Sequence, residues 1–228
     1  MPGPLRASQV SDQVFRTLVD GILSERYAPG ERLPTQRALA ADLGVNVASV
    51  REAVKRLEQL RLVDVRHGDA MRVRDWRAFG GLDVLAHVLF AAGGLDGPTL
   101  AALMEARRAL LVAVARLAAE RRSDGQAARL IELADRLARC GDGRERQALD
   151  YAFMAELIDA AGNIVFTLVM NSIRELYFER AELFEPMVAD RSSDALYARA
   201  AAAVSARDDG AAADAIDGLA ALHQEALR

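Results

Sequence analysis

Two short helical patterns separated by a single glycine constrain this chain more than anything else in it. In Leu33–Lys55, LPTQRALAADLGVNVASVREAVK, Leu39 and Leu43 stand at helical spacing and Gly44 follows where that helix must stop. Glycine suits such a place because the chain turns there with φ > 0, which is costly for a residue with a Cβ. Asn46 is placed to cap the next helix, its side-chain oxygen accepting an orphan backbone N–H of the first turn. Val47, Val50, Val54 and Leu57 then recur at i, i+3, i+7 and i+10, an apolar stripe that must face a core. Ala48, Ser49, Arg51, Glu52 and Lys55 lie off that stripe and point outward. A helix pair with a glycine turn and an exposed second helix is a helix-turn-helix.

The flanks extend the pattern. Val10, Val14, Leu18 and Ile22 share one face of a preceding helix, and Pro29-Gly30 breaks the chain after it. Beyond the pair, Val63, Val65, Met71 and Val73 are apolar at period two, with Asp64, Arg66, Arg72 and Arg74 between them. His67-Gly68-Asp69 supplies the turn of a β-hairpin. Three helices and a hairpin make a winged helix-turn-helix.

At this point the stretch LPTQRALAADLGVNVASVREAVKRLEQLRLVDVRHGDAMRV resembles the DNA-binding domain of the GntR family of bacterial transcription regulators. The later segments ALDYAFMAELIDAAGN and MNSIRELY are similar to the helical effector domain of the family's FadR subgroup, closest to the fatty-acid-responsive FadR proteins. The motif is specific in the first third of the chain and looser afterwards.

Composition fits a mainly α chain. Of 228 residues, 52% are apolar and only 5% aromatic, so helix-forming Ala, Leu and Arg dominate. No apolar run reaches the length of a membrane span, and no basic-then-apolar signal segment opens the chain. The single cysteine, Cys140, cannot form an internal disulfide and reads as a part-buried small side chain. The expected location is the cytoplasm. The net charge of −4 divides unevenly: residues 1–75 carry 12 Lys and Arg against 10 Asp and Glu, the remainder 17 against 23. Only the N-terminal part can meet a polyanion without overall repulsion.

Residues 1–7, with two prolines and a glycine, read as disordered. Residues 8–74 form the winged domain, and 75–92 a linker and connecting helix in which Trp76 and Phe79 anchor the chain rather than stack on bases. Residues 93–228 form an all-helical effector-binding and dimerisation domain, an antiparallel bundle with ligand sites between facing helices. Its helices are expected near 98–122, 124–140, 144–161, 163–185, 190–206 and 208–227.

The expected DNA contacts are Arg37, Asn46, Val47, Ala48, Ser49, Arg51, His67 and Gly68. By resemblance, Arg37 and Arg51 match positions that touch operator DNA, and His67-Gly68 matches the wing tip. A guanidinium can bind guanine bidentately or pin a phosphate. Val47 departs from the pattern, since the family usually has an arginine there; Ala48 stands where threonine is frequent and Gln36 where glutamate is usual. Valine can touch a thymine methyl but cannot donate a hydrogen bond.

The effector site is read from the same resemblance. Most relatives hold a metal through one Asp and three His, and Met154, Tyr197 and Leu219 replace those histidines here. Asp150 then reads as a cap or ion-pair residue, and neither His87 nor His223 falls on a ligand position. No metal and no other cofactor are expected, because three or more convergent ligands are missing. Arg107 and Tyr177 match positions lining the acyl-CoA pocket of FadR, although an ion pair of Arg107 with Glu105 or Asp135 is an equal reading. The pocket is expected to be apolar, with a fatty acyl-CoA or related amphipathic acid as effector.

The resulting expectation is a homodimeric regulator that binds a short palindrome of double-stranded DNA under control of a small-molecule effector, without a membrane. An enzyme on the helical domain finds no nucleophile–base pair or phosphate loop to support it. A regulator answering to a small organic acid, and a DNA-binding protein with no effector, are the alternatives.

Overall fold

The computed structural model describes residues 7–65, 71–90 and 94–227. They form two compact units, Met1–Asp96 and Gly97–Arg228.

The first unit holds α1 (Ala7–Leu23), α2 (Gln36–Asp42) and α3 (Val47–Gln59), then β1 (Val63–Asp64), β2 (Arg72–Val73), the short α4 (Trp76–Phe79), a 3-10 turn at Leu82–Val84 and α5 (Leu85–Leu89). Gly44 has φ +65° between α2 and α3, and Val45 N–H bonds back to Ala40 C=O at 2.9 Å, so the turn closes on itself. Thr35 caps α2, and Asn46 Oδ1 accepts Ser49 N–H at 2.8 Å to cap α3. The inner face of α3 is Ser49, Val50, Ala53, Val54 and Leu57. This corrects the expected stripe by one position: Ser49, one turn before Ala53, is buried, while Val47 is only partly buried against the same core. The burial face of a helix is set by its neighbours, here chiefly α1.

The hairpin pairs Val63 with Val73 and Asp64 with Arg72. A third stretch joins it. Gly30 N–H bonds to Val73 C=O and Leu33 N–H to Met71 C=O, both at 2.8 Å, while Glu31 C=O accepts Val73 N–H at 3.0 Å. The segment after Pro29-Gly30, read from sequence only as a break, is an extended partner of the wing. His67 and Gly68 lie outside the described residues. Trp76 packs on the winged core with Arg77 over its ring, whereas Phe79 stays half exposed beneath Arg74. His87, on α5, meets Phe15 of α1 edge-on at 5.3 Å, and burial lowers its pKa.

The second unit is helical throughout its described residues: α6 (Gly97–Arg121), α7 (Asp124–Arg139), α8 (Gly143–Ala160), α9 (Ile164–Glu179), α10 (Ala181–Ala189), a 3-10 turn at Arg191–Ser193, α11 (Asp194–Ala206) and α12 (Asp209–Ala226). Most starts carry a side-chain cap, with a full capping box at Ser123/Gln126. α6 packs along α12, and α11 lies against α12, α7 and α6. Buried alanines at 115, 118, 200, 212 and 215 let these backbones approach closely. A bidentate pair between Arg108 and Asp217, both bonds 2.6 Å, ties α6 to α12.

The single helix expected over 163–185 is two. Arg180 leaves the helical region (φ −115°, ψ 44°), and Gln147 Nε2 of α8 donates to Tyr177 C=O at 3.0 Å. That buried amide takes a carbonyl that would otherwise accept from the next turn, so α9 can end there without an unpaired group.

Candidate functional sites: an exposed helix face and a buried polar cluster

The first site is the outer ridge of α3. Ala48, Arg51, Glu52 and Lys55 are exposed at i, i+3, i+4 and i+7, and Arg37 is exposed in the first turn of α2. Arg56, one residue along, is used internally: its guanidinium lies 3.9 Å from the Phe15 ring centroid and bonds Asp12 at 2.5 Å, which locks α3 to α1. Arg72 likewise donates to Gly30 C=O at 3.1 Å. The ridge thus carries exposed cations on a helix that is capped, clamped and seated on a core. A rigid helix with a short ridge of donors fits a major groove. Ser49, expected among the contacts, has its side chain buried, so within α3 it serves packing.

The second site lies inside the helical unit and draws on α6, α8, α9, α11 and α12. Asp150 is 2% exposed and accepts two phenol protons: Tyr197 Oη donates to Oδ1 at 2.6 Å and Tyr177 Oη to Oδ2 at 2.7 Å. Asp150 is therefore neither a cap nor half of a simple ion pair, the roles expected from sequence. Its position in mid-α8, among Leu149, Phe153 and Met154, leaves hydrogen bonds as its compensation for burial. Burial, reinforced by the Asp150 carboxylate, holds both tyrosines far above the usual phenol range, so they stay protonated and donate.

His223, set aside in the sequence as lying on no ligand position, is part of this cluster. It is fully buried on α12, one turn after Leu219, and Nε2 lies 3.4 Å from Tyr197 Oη. Burial pushes its pKa down to about 4, with Asp150 opposing and Arg107 adding to that effect. Arg107 acts electrostatically on Tyr177, Tyr197 and His223 alike, which places its charge beside the cluster. Its Nη1 is buried without a hydrogen-bond partner, and so is His223 Nδ1. Pairing Arg107 with Glu105 or Asp135 thus leaves this nitrogen unexplained. Met154 and Leu219 are buried in the apolar core, but the space between the helices is not simply apolar, because Asp150, Tyr177, Tyr197 and His223 meet in it. The one signal that could have found His223 is its i+4 relation to Leu219, which sets both on one face of α12.

A divalent metal of the kind bound by one Asp and three His does not fit these residues. Met154 and Leu219 offer no hard donor, Tyr197 is held protonated by burial and its bond to Asp150, and His223 is the one imidazole in the cluster. Among the described residues no group of three or more His, Cys, Asp or Glu converges. No helix among them is long and apolar enough to cross a membrane.

Comparison with known proteins agrees with both units. Residues 10–73 match the bacterial regulatory proteins of the gntR family, and residues 102–221 match the FCD domain. The HTH-type transcriptional regulator Mce2R of Mycobacterium tuberculosis is 36% identical, over 98% of this chain and 94% of its own. A fatty acid metabolism regulator protein of Yersinia pestis is 26% identical, over 70% of this chain and 66% of its own. The solved structure of a GntR protein from Streptococcus agalactiae superposes with a TM-score of 0.50 at 25% identity, covering 94% of this chain and 99% of that one. The chain belongs to the gntR family of bacterial regulatory proteins, and is a DNA-binding transcription regulator with an FCD effector-binding domain rather than an enzyme.

Proposed function

We propose that this regulator acts in the cytoplasm as a homodimer, reads a short palindromic operator with Arg37, Arg51 and the wing, and is released or recruited by an acidic effector held in the helical unit. The observation that carries the effector reading is the buried Arg107 Nη1 with no partner. An unpaired buried guanidinium nitrogen is costly, and a carboxylate or phosphate is its natural complement. A fatty acyl-CoA or related amphipathic acid is the first candidate, supported by the bundle's apolar core and by the Yersinia relative's name. The polar cluster of Asp150, Tyr177, Tyr197 and His223 favours a second reading, a smaller organic acid. Binding moves DNA affinity only if the ligand prefers one arrangement of the dimer. In this reading residues 8–74 hold the operator, 93–228 hold the effector and the dimer contact, and 75–92 carry the signal between them.

Two measurements test this. With an operator selected from genomic fragments, Arg51→Ala is expected to lose about 1–3 kcal/mol of binding while the domain stays folded. Unchanged affinity would remove Arg51 from the interface. Acyl-CoAs of graded length, and small organic acids in parallel, are expected to change operator affinity of the wild type but not of Arg107→Gln. If every acid acts equally on both proteins, or none acts on either, the role given to Arg107 is wrong.

A further inference from the structure

Folding leaves the first turn of α3 with only side-chain carbon on its outside. Val47, Ala48 and Ser49 make up that turn. Ser49, the one of them with a hydroxyl, is 5% exposed and faces the core. Asn46, just before it, has its Oδ1 bound to Ser49 N–H at 2.8 Å as the cap. Ala48 is exposed, and Val47 is half-buried, packed against the core of the winged unit. A β-branched side chain in a helix has essentially one rotamer, so this packing also fixes the part of Val47 that stays outside. Exposed hydrogen-bonding side chains begin only at Arg51, followed by Glu52 and Lys55.

We infer that this turn reads thymine through its C5 methyl group, with Val47 and Ala48 as the specificity-determining contacts. This rests on the reading of α3 as the helix that enters the operator, and adds a base preference to it. In a helix-turn-helix the N-terminal residues of the second helix face the base edges. Among the major-groove edges only thymine presents an apolar group, whereas the other bases offer N7, O6, N4 or N6 alone. An aliphatic side chain set against those groups displaces their water and returns no hydrogen bond. Against the thymine methyl it loses nothing. Arg51 then fixes where the thymine lies. It stands three residues beyond Ala48 and four beyond Val47, about 4.5–6 Å along the helix axis, against about 3.4 Å per base pair. A guanine held by Arg51 is therefore within two base pairs of the thymine. Glu52 offsets one of the two neighbouring cations, Arg51 and Lys55, so the ridge depends on base contacts more than on charge.

The test uses the full-length protein and an operator selected from genomic fragments. Deoxyuridine replaces thymine one position at a time, symmetrically in both half-sites, which deletes the methyl and keeps every hydrogen-bonding group. At one or two positions the wild type is expected to bind about fifteenfold more weakly, from about fourfold for each buried methyl taken over two half-sites. In the double variant Val47→Ser, Ala48→Gly the thymine and deoxyuridine operators are expected to bind alike, which separates a side-chain contact from a change in DNA shape. Scanning with 7-deazaguanine, in the wild type and in Arg51→Ala, locates the guanine under Arg51, expected within two base pairs of the sensitive thymine. The deoxyuridine scan on the wild type needs no variant, so it decides even where the double variant fails to fold. Deoxyuridine tolerated at every position overturns the inference, as does a sensitivity that survives in the double variant or lies farther from the guanine. With Arg51→Ala still weakened, those results leave α3 as the operator-reading helix. If Arg51→Ala also binds like the wild type, that reading falls with the inference.

Discussion

Asp150→Ala is expected to lower the stability of the helical unit by about 3–5 kcal/mol, the largest single loss anticipated for a polar residue in this chain. The carboxylate accepts from two buried phenols, and hydrogen bonds to a charged group contribute about 1.5–3 kcal/mol each. Alanine removes both and leaves two hydroxyls without acceptors beside a charged arginine. The cost therefore belongs as much to the stranded tyrosines as to the missing aspartate. A triple variant, Asp150→Ala with Tyr177→Phe and Tyr197→Phe, deletes the stranded groups too and is expected to regain a substantial part of the loss. Guanidinium unfolding of the three proteins measures this. If the single variant unfolds at the wild-type denaturant concentration, or the triple variant is no more stable than the single, the network is not what holds these helices in register.

The second large effect is a loss of stability in mild acid that belongs to one imidazole. His223 titrates near 6.5 when exposed in the unfolded chain and at about 4 in the folded one. Between those values the unfolded state binds a proton that the native state refuses, so stability rises with pH. The contribution is complete above pH 6.5 and is lost as pH falls towards 4. The full difference is about 3 kcal/mol, of which about 2 kcal/mol falls between pH 6.5 and 5. His223→Gln carries no titrating ring and is expected to lack that part of the decline. Unfolding free energies of both proteins at pH 7.5 and 5 isolate it, because the His87 contribution is common to both. Parallel declines would mean that His223 is not the group refusing the proton.

The winged unit was legible in sequence because its determinants are local. Gly44 marks its own positive φ, Asn46 its own cap, and the alternation of Val63 and Val73 its own strands. What escaped notice there depends on neighbours distant in sequence. Ser49 is inside because of where α1 lies, and the segment at Gly30–Leu33 is extended because the wing offers it hydrogen bonds. In the helical unit the balance reverses. Helix spans could be read from periodicity and breakers, yet the end of α9 is set by Gln147, more than thirty positions before Arg180. The polar cluster gathers Arg107, Asp150, Tyr177, Tyr197 and His223 from five helices, with no spacing to announce it. Family resemblance points to Asp150, Tyr177 and Tyr197 as pocket positions. It could not supply their bonds to one another, nor the place of His223 beside Tyr197.

The pairing of Gly30, Glu31 and Leu33 with Met71 and Val73 has a genetic consequence. Some forty residues separate these two stretches in the gene, but they are one piece of backbone fabric in the protein. A substitution that breaks the fabric on the early side, such as a proline at Leu33, removes an N–H that the Met71 carbonyl relies on. In a screen for lost regulation, such alleles would therefore carry the phenotype of wing lesions while mapping before the helix-turn-helix.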